Sequence, residues 1–169
     1  KIPVYGSGGW ISYTDEELLE GVLDYKGRGF TAVKIKVGHP DGIERDLHRL
    51  SICREKLGDS VKIMMDANQG MDVPLALKLA EQAKKIGIHW FEEPVTHTDF
   101  AALKHLIERN ALDLWQPDIV RLGGVEEWLN SAKLAESYKL PVLPHYYKDY
   151  DVPLLCTIRH PYGAESFDW

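Results

Sequence analysis

Short apolar runs alternate along this chain with longer segments in which apolar residues recur at helical spacing. Two of the longer segments carry clear helix signals: 15–26, where Thr14 and Glu17 match a capping box, and 74–85, which Gly87 follows as a stop. The runs predicted to form strands are residues 2–5, 32–37, 61–65, 89–91, 112–115, 141–144 and 164–167. Strands that alternate with helices indicate parallel strands joined by right-handed crossovers, which is an α/β architecture.

A polar residue stands at or just beyond the end of most of the predicted strands. These residues are Lys36, Asp66, Glu92, Asp118, His145 and Glu165. Successive members are 20 to 30 positions apart, close to the length of one strand–helix unit. A (β/α)₈ barrel carries its chemistry at the carboxyl ends of successive strands, whereas an open doubly wound sheet concentrates it at one switch point. We therefore predict a (β/α)₈ TIM-type barrel domain over residues 1–169, incomplete because there are only seven strand candidates.

Composition narrows the classes of function. Asp and Glu number 26 against 20 Lys and Arg, which gives a formal charge of −6, and the basic residues are scattered. A protein with this charge lacks the electrostatic footprint of a nucleic-acid or membrane-surface binder. Two cysteines are too few for a disulfide framework, and neither a membrane span of about 20 apolar residues nor a signal peptide is visible. We expect a cytoplasmic protein without nucleic-acid or membrane partners.

Two lysines, Lys34 and Lys36, lie on the same face of a predicted strand because side chains alternate with period two. In a closed barrel that face points inward, where an unpaired ammonium group is costly. Two positive charges so close lower each other's pKa, which would make one lysine a usable base near neutral pH. The alternative is a solvated lysine pair on an edge strand.

Carboxylates follow two neighbouring predicted strands. Asp66 and Asn68 come directly after one strand, and Glu92 and Glu93 end the next, where Pro94 prevents its continuation. Each group on its own is equally compatible with a turn or a solvated acidic loop. Asp66 and Glu92 together supply hard oxygen ligands of the kind that Mg²⁺ prefers.

Asp118 and His145 follow the ends of the next two predicted strands, so that the carboxylate can pair with the imidazole and fix its tautomer. The other six histidines lie in predicted helices or loops, and we expect them on the surface. Glu165 follows at the end of the last run, where a protonated carboxyl group could donate a hydrogen bond to a substrate oxygen. The alternative for Glu165 is a solvated side chain near the chain end.

Six stretches, taken in order, resemble the barrel domain of the enolase superfamily and specifically its mandelate racemase subgroup. They are residues 30–38 (FTAVKIKVG), 64–69 (MMDANQ), 90–94 (WFEEP), 115–124 (WQPDIVRLGG), 140–146 (LPVLPHY) and 164–169 (AESFDW). The resemblance extends over nearly the whole chain. It implies a Mg²⁺-dependent enzyme that removes the proton α to a carboxylate.

The resemblance also implies a role for each matching residue. Lys36 would be one general base, with Lys34 as its electrostatic neighbour, and His145, oriented by Asp118, would act from the opposite face of the substrate. Glu165 would hydrogen-bond the substrate carboxylate. Asp66 and Glu92 would bind the metal, and Asn68 would contact the substrate.

The reaction expected from the resemblance is dehydration of a sugar acid through an enediolate, which makes the protein a carbon–oxygen lyase. The site residues themselves are equally compatible with a racemase or epimerase of a 2-hydroxy acid. A catalytically inactive, shortened barrel that only binds or folds is a further alternative. The expected partners are a small-molecule carboxylate and further copies of the chain in a homo-oligomer.

The sequence departs from the family pattern between Glu92 and Asp118. Family members carry another βα unit there, ending in a Gly-Glu that supplies a third metal carboxylate, but only 26 residues separate these two positions. We also expect the N-terminal lid domain and the C-terminal tail of the family to be absent. Loss of an interior barrel strand would leave open sheet edges. We therefore predict that a segment is missing from the sequence near residues 95–96, and not from the molecule.

Overall fold

Strands and helices alternate as the apolar pattern predicts. The computed structural model describes residues 5–165. Its elements are β1 (Gly6–Gly8), α1 (Asp15–Gly27), β2 (Ala32–Lys36), α2 (Ile43–Leu57), β3 (Lys62–Asp66), α3 (Val73–Lys85), β4 (Trp90–Glu92), α4 (Phe100–Glu108), α5 (Val125–Ser137) and α6 (Lys148–Leu155). The chain divides after Pro94 into two units, which we call unit 1 (residues 1–94) and unit 2 (residues 95–169).

Unit 1 is built on a four-stranded parallel sheet with the strand order β1-β2-β3-β4. Consecutive strands are neighbours in this sheet, and α1, α2 and α3 connect them, as expected for βα units. Successive residues of β2 are buried on both of its faces, including Val33, Lys34 and Ile35. Burial of both faces is typical of parallel strands in α/β proteins. The prediction of an α/β fold with a parallel sheet is confirmed.

The predicted helix starts are confirmed by their caps. The Thr14 hydroxyl accepts the backbone N–H of Glu17, and the Glu17 carboxylate accepts the backbone N–H of Thr14, which completes the capping box of α1. At α3 the Asp72 carboxylate accepts the backbone N–H of Leu75. These bonds satisfy backbone donors that have no partner within the helix.

The first strand lies further along the chain than the apolar pattern predicts. Residues 6–8 form it, whereas Tyr5 is outside it and residues 1–4 lie outside the described part of the chain. A Cβ atom at Gly6 would overlap the ring of Tyr25 on α1, so this strand requires a glycine where α1 packs closely on it. A strand of glycine and serine carries no apolar signal, which is why the pattern misplaced it.

Unit 2 contains isolated parallel bridges where longer strands are predicted. Trp115 pairs with Val142, and Val142 pairs with Pro161, but neither 112–115 nor 141–144 forms a regular strand. Prolines punctuate these segments at positions 117, 141, 144 and 161. Because proline has no backbone N–H, each one removes a donor from the ladder and shortens the pairing. Of the last predicted strand, residues 164–165 are irregular and 166–167 lie outside the described residues.

Arg54 ties together the loops that precede β3 and β4. Its guanidinium group donates hydrogen bonds of 2.7–3.1 Å to four backbone carbonyls, those of Gly58, Val61, Ile86 and Gly87. We expect Arg54→Lys to lower the free energy of unfolding by about 2 kcal/mol, because one ammonium group cannot reach four divergent carbonyls. Urea unfolding at pH 7 measures the change.

The matched control is Arg28→Lys. Arg28 forms an exposed ion pair with Asp24 one helical turn away, at 3.2 Å, and such pairs contribute little to stability. The control variant is expected to unfold within about 0.5 kcal/mol of the parent. Equal losses in the two variants would contradict the role assigned to Arg54.

None of the helices in residues 5–165 is both long enough and apolar enough to cross a membrane.

Candidate functional site

The carboxyl ends of three strands bring three predicted site residues into one row. In the strand register Lys36 on β2 is level with Asp66 on β3, and Asp66 is level with Glu92 on β4. Each of the three is the last residue of its strand. Asp66 and Glu92 are buried. The predicted clustering at one edge of the sheet is therefore present in unit 1.

The two lysines of β2 form ion pairs with these carboxylates. Lys34 Nζ lies 2.6 Å from Glu92 Oε1 and 3.6 Å from Asp66 Oδ2, and Lys36 Nζ pairs with Asp66 Oδ2. Lys34 is only 5% exposed, and β2 lies between β1 and β3. The alternative of a solvated lysine pair on an edge strand is wrong. Two ammonium groups and two carboxylates thus balance each other's charge, which is what burial of such groups requires.

The residues that follow β3 and β4 turn sharply and stay near these carboxylates. Asn68 has a φ of 46° and Glu93 a φ of 45°, a left-handed conformation in which side chains are uncommon. The Asn68 backbone N–H donates to Asp66 Oδ1 at 2.9 Å, and its amide nitrogen lies 3.4 Å from Glu93 Oε2. Asp66 therefore stabilises a turn, as one of its two alternative interpretations predicts, and it also lies in the site row.

Unit 2 brings Asp118 and His145 together, as predicted. Asp118 Oδ2 lies 2.8 Å from His145 Nδ1, and Asp118 Oδ1 accepts the backbone N–H groups of Val120 and Arg121 at 2.8 and 2.9 Å. Burial acts to raise the pKa of Asp118, but the hydrogen bond from His145 and those backbone groups outweigh it, so this pKa is lowered. An ionised Asp118 favours a proton on Nδ1 and leaves Nε2 to exchange protons.

Glu165 is also held in a defined position in unit 2. It is 7% exposed, and its Oε2 accepts the backbone N–H of Tyr146 at 3.0 Å. Tyr146 follows His145 directly and has a φ of 73°. The alternative of a solvated glutamate near the chain end is therefore wrong, because the carboxylate is buried and bonded next to His145.

Sequence reasoning misjudged or missed several buried polar residues. His97 was expected on the surface, but it is buried, with its ring centroid 5.2 Å from that of Trp115. Asp46, Arg49 and Asp151 are buried charged residues to which the sequence assigned no role. Each lies in a helix, and no local pattern distinguishes a buried helical charge from a solvated one.

Asp151 on α6 makes the stability of unit 2 depend on pH. The pKa of this carboxyl group is raised from 3.8 to about 7, chiefly by burial and to a smaller extent by the negative charge of Asp118, while a 3.1 Å hydrogen bond from Trp128 Nε1 opposes the rise. The folded protein thus binds a proton that the unfolded chain has released, so stability falls as pH rises from about 4 to about 7. Asp151→Asn keeps the acceptor for Trp128 without the charge. We expect it to stabilise the protein at pH 8 by about 2–4 kcal/mol and to change little at pH 4.5.

Urea unfolding of parent and variant at the two pH values measures this difference. Asp149→Asn is the control, because Asp149 lies on the same helix and is exposed. For Asp149→Asn, the difference in the free energy of unfolding between variant and parent should be the same at both pH values. An Asp151→Asn effect of the same size at pH 4.5 and pH 8 would contradict the account.

Unit 1 supplies two carboxylates of the kind that bind a magnesium ion. Asp66 and Glu92 present buried carboxylate oxygens from adjacent strands at the same level of the sheet. Hard oxygen ligands of this kind are those that Mg²⁺ prefers. Lys34 and Lys36 hold the two carboxylates in place by charge.

Comparison with known proteins identifies relatives along the whole chain. The family model described as "Enolase C-terminal domain-like" matches residues 17–106 and 96–169. The L-talarate/galactarate dehydratase of Salmonella typhimurium (strain LT2) is 29% identical, with 96% of this chain and 46% of that protein covered. The structure of L-talarate dehydratase from Polaromonas sp. JS666, complexed with Mg and L-glucarate, has a TM-score of 0.70 at 30% identity, covering 98% of this chain and 52% of that one.

A racemase from Streptomyces coelicolor A3(2) with bound magnesium is also similar, with a TM-score of 0.71 at 28% identity over 97% of this chain and 56% of that one. The expectation of a magnesium cofactor is thus confirmed for the relatives. The relatives include dehydratases and a racemase, so they support an enzyme without fixing the lyase class.

The chain spans about half the length of the curated relatives it matches. The alignment with the Salmonella typhimurium protein occupies 186 positions, of which this chain fills about 162, since 96% of its 169 residues take part. About 24 positions of that relative therefore have no counterpart here. The family model also matches in two parts, which overlap over residues 96–106. With these matches and the strand-end residues of unit 1, the chain belongs to the enolase C-terminal domain-like family, whose solved members are TIM-barrel enzymes of the enolase superfamily.

Proposed function

We propose that this protein removes the proton α to the carboxylate of a sugar acid, with Mg²⁺ as cofactor, and then eliminates water. The observation that supports this most strongly is the row of Lys36, Asp66 and Glu92 at three adjacent strand ends. The relatives that are sugar-acid dehydratases support the substrate class. Because the chain spans about half of those relatives, the activity is proposed for the protein and does not follow from the likeness alone.

Asp66 and Glu92 are the residues that would hold the magnesium ion. When bound, the ion supplies positive charge that stabilises negative charge on the substrate carboxylate as the α-proton leaves. Lys34 adds a further positive charge beside both carboxylates, at 2.6 Å from Glu92 and 3.6 Å from Asp66. Asn68, which is exposed beside the same row, would contact the substrate.

Lys36 is the proposed base. It stands at the carboxyl end of β2 and borders an open cavity of about 570 Å³ in unit 1. A general base must come within hydrogen-bonding distance of the proton that it removes, and a lysine on the cavity wall meets this requirement for a bound sugar acid.

His145 would act as the general acid, with Asp118 holding its ring orientation through the 2.8 Å contact at Nδ1. In the dehydration the electrons of the α C–H bond form a carbon–carbon double bond while the β C–O bond breaks. The hydroxyl group leaves as water with the proton from His145, and the enol product tautomerises to a 2-keto-3-deoxy acid. Glu165, buried beside Tyr146, would hydrogen-bond the substrate carboxylate.

The test is product formation. The protein is incubated with Mg²⁺ and a panel of aldonates and aldarates that includes galactarate and L-glucarate, and semicarbazide detects 2-keto acids. We expect a 2-keto-3-deoxy acid from at least one substrate and none after EDTA treatment. Inversion at the α-carbon without loss of water would replace this proposal by the racemase alternative. No change in any substrate would support the inactive barrel.

We further propose that one βα unit belongs between Val95 and Thr96 and is missing from the sequence. The roughly 24 unmatched positions of the Salmonella typhimurium relative are close to the length of one such unit. Its place is supported by the two matches of the family model, which change over at residues 96–106, and by the division of the chain after Pro94. Intact mass of the purified protein distinguishes the cases, because the sequence accounts for 19.2 kDa. A single tryptic peptide running unbroken from Ile86 to Lys104 would contradict the proposal.

Oligomeric state stays a prediction from the resemblance, and location stays a prediction from the amino-acid sequence. We propose a cytoplasmic homo-oligomer, and light scattering after size-exclusion chromatography tests the assembly. A monomer at micromolar concentration would refute it.

A further inference from the structure

The loop that follows β1 is held from α2 by one buried arginine. Arg49 Nη1 donates to the carbonyl of Tyr13 at 3.0 Å, and Nη2 donates to the carbonyls of Gly9 and Trp10 at 2.8 and 2.9 Å. Gly9 has a φ of 61°, and a Cβ atom at this position would lie 2.9 Å from the Leu18 side chain. The loop therefore starts in close contact with α1. Three charge-assisted hydrogen bonds from a rigid, planar group fix the path of such a loop.

The loop that follows β2 is held from the same helix. The carboxylate of Asp46, one turn before Arg49, accepts the backbone N–H of Gly38 at 3.0 Å and that of His39 at 3.1 Å. Asp46 is buried as well. One helix therefore uses an anion to hold the donors of one loop and a cation to hold the acceptors of the other.

These two loops form the walls of the cavity that contains Lys36. Trp10 and Ser12 line it from the first loop, and His39 lines it from the second. The Lys36 ammonium lies 5.7 Å from the centre of the Trp10 ring, within the range of a cation–π contact. Trp10 is 51% exposed, so its ring is open to solvent on the wall of this cavity.

We propose that Trp10 is a specificity-determining residue for polyhydroxylated carboxylates, and that Asp46 and Arg49 are positioning residues that hold the walls carrying Trp10 and His39. The identity of the ligand rests on the proposed function, whereas the placement of the cavity walls does not. The indole face would pack against the C–H groups of the sugar-acid chain, and Ser12 and His39 would meet its hydroxyl groups.

The first measurement needs no substrate. Among residues 5–165, Trp10 is the exposed tryptophan, while Trp90, Trp115 and Trp128 are buried. In a Trp169→Phe background, collisional quenching of fluorescence by acrylamide therefore reports on Trp10, and Trp10→Phe should remove most of the quenchable signal. We expect Arg49→Lys to raise the quenching constant about twofold, because a lysine cannot make the three hydrogen bonds that fix the loop.

The second measurement is binding of L-glucarate, the ligand in the Polaromonas sp. JS666 structure, by titration calorimetry with Mg²⁺ present. We expect Trp10→Ala and Arg49→Lys each to raise the Kd for L-glucarate about tenfold. The rate of α-proton exchange at saturation should fall less than threefold, since Lys36 and the carboxylate row stay intact. Asp46→Asn should also raise the Kd, because a neutral amide oxygen accepts the backbone N–H groups of Gly38 and His39 less strongly than the carboxylate does.

Arg45→Lys is the matched control, because Arg45 lies on the same helix and pairs with Asp15 at 2.8 Å, away from the cavity walls. It should change neither the quenching constant nor the Kd. If Arg49→Lys lowers the melting temperature but leaves both values unchanged, Arg49 is merely structural and the inference is wrong. If Arg49→Lys does not fold, Trp10→Ala still tests the role of Trp10. An unchanged Kd for L-glucarate in Trp10→Ala overturns that role.

The two proposals fail in different ways. Failure of the parent protein to bind L-glucarate or any other sugar acid contradicts the proposed function, while quenching of Trp10 still judges the positioning role of Arg49. Tight binding in the parent with no effect of Trp10→Ala contradicts this inference and leaves the proposed function standing.

Discussion

Replacing Lys36 by alanine is expected to lower the rate of sugar-acid dehydration about a thousandfold, the contribution typical of a positioned general base. Binding of Mg²⁺ should be retained or tightened, because Lys36 pairs with Asp66 and its removal frees that carboxylate from a competing cation. Turnover by semicarbazide assay and Mg²⁺ binding by calorimetry measure the two effects separately. Loss of turnover with intact metal binding is the signature of a lost base.

Lys62→Ala is the control for this prediction. Lys62 begins β3, the strand beside Lys36, and is exposed to solvent. Its replacement should leave turnover within about twofold of the parent, as for a surface substitution away from the site. Undiminished turnover in Lys36→Ala would remove Lys36 from the mechanism, and loss of Mg²⁺ binding would assign it a metal-site role instead.

The second large effect is expected at the dyad of unit 2. His145→Asn should lower turnover about a thousandfold, and Asp118→Asn should lower it at least about a hundredfold, because Asp118 acts through the imidazole that it orients at 2.8 Å. The double variant should be no worse than His145→Asn alone, since residues that act as a unit do not give additive losses. Steady-state kinetics on the three variants measure this.

His160→Asn serves as the control, because the His160 side chain is exposed. It should retain the turnover of the parent. The dyad is wrong if Asp118→Asn is fully active while His145→Asn is dead. Additive losses in the double variant would show two independent roles.

The carboxyl-terminal strand ends of unit 1 were predictable because the chemistry and the local pattern agree. The apolar runs predict β2, β3 and β4 to within a residue or two, and each of these strands ends in the polar residue that belongs to the site row. Parallel strands in sequential order have their carboxyl ends at the same edge of the sheet. Lys36, Asp66 and Glu92 are therefore expected to lie side by side. The caps of α1 and α3 are equally local, since donor and acceptor are three residues apart.

What the sequence could not reveal depends on contacts between distant residues. Arg49 contacts carbonyls 36 to 40 positions away, and its spacing within α2 is the same as that of a solvated arginine. Asp151 is buried against Trp128, 23 positions earlier, and nothing near it in the sequence indicates this. The prediction of strands in unit 2 failed for a local reason. The apolar residues of these segments indicated strands, but the prolines at 117, 141, 144 and 161 interrupt the backbone pairing.

Exchange of the α-proton of a sugar acid with solvent is the measurement that most directly tests the central claim. The protein is incubated in D₂O with Mg²⁺ and L-glucarate or galactarate, and proton NMR follows the signal of the α C–H group. The account predicts loss of that signal in the parent protein and its persistence in Lys36→Ala or after EDTA treatment. An α C–H signal that persists in the parent, with Mg²⁺ present and the sugar acid bound, would contradict it.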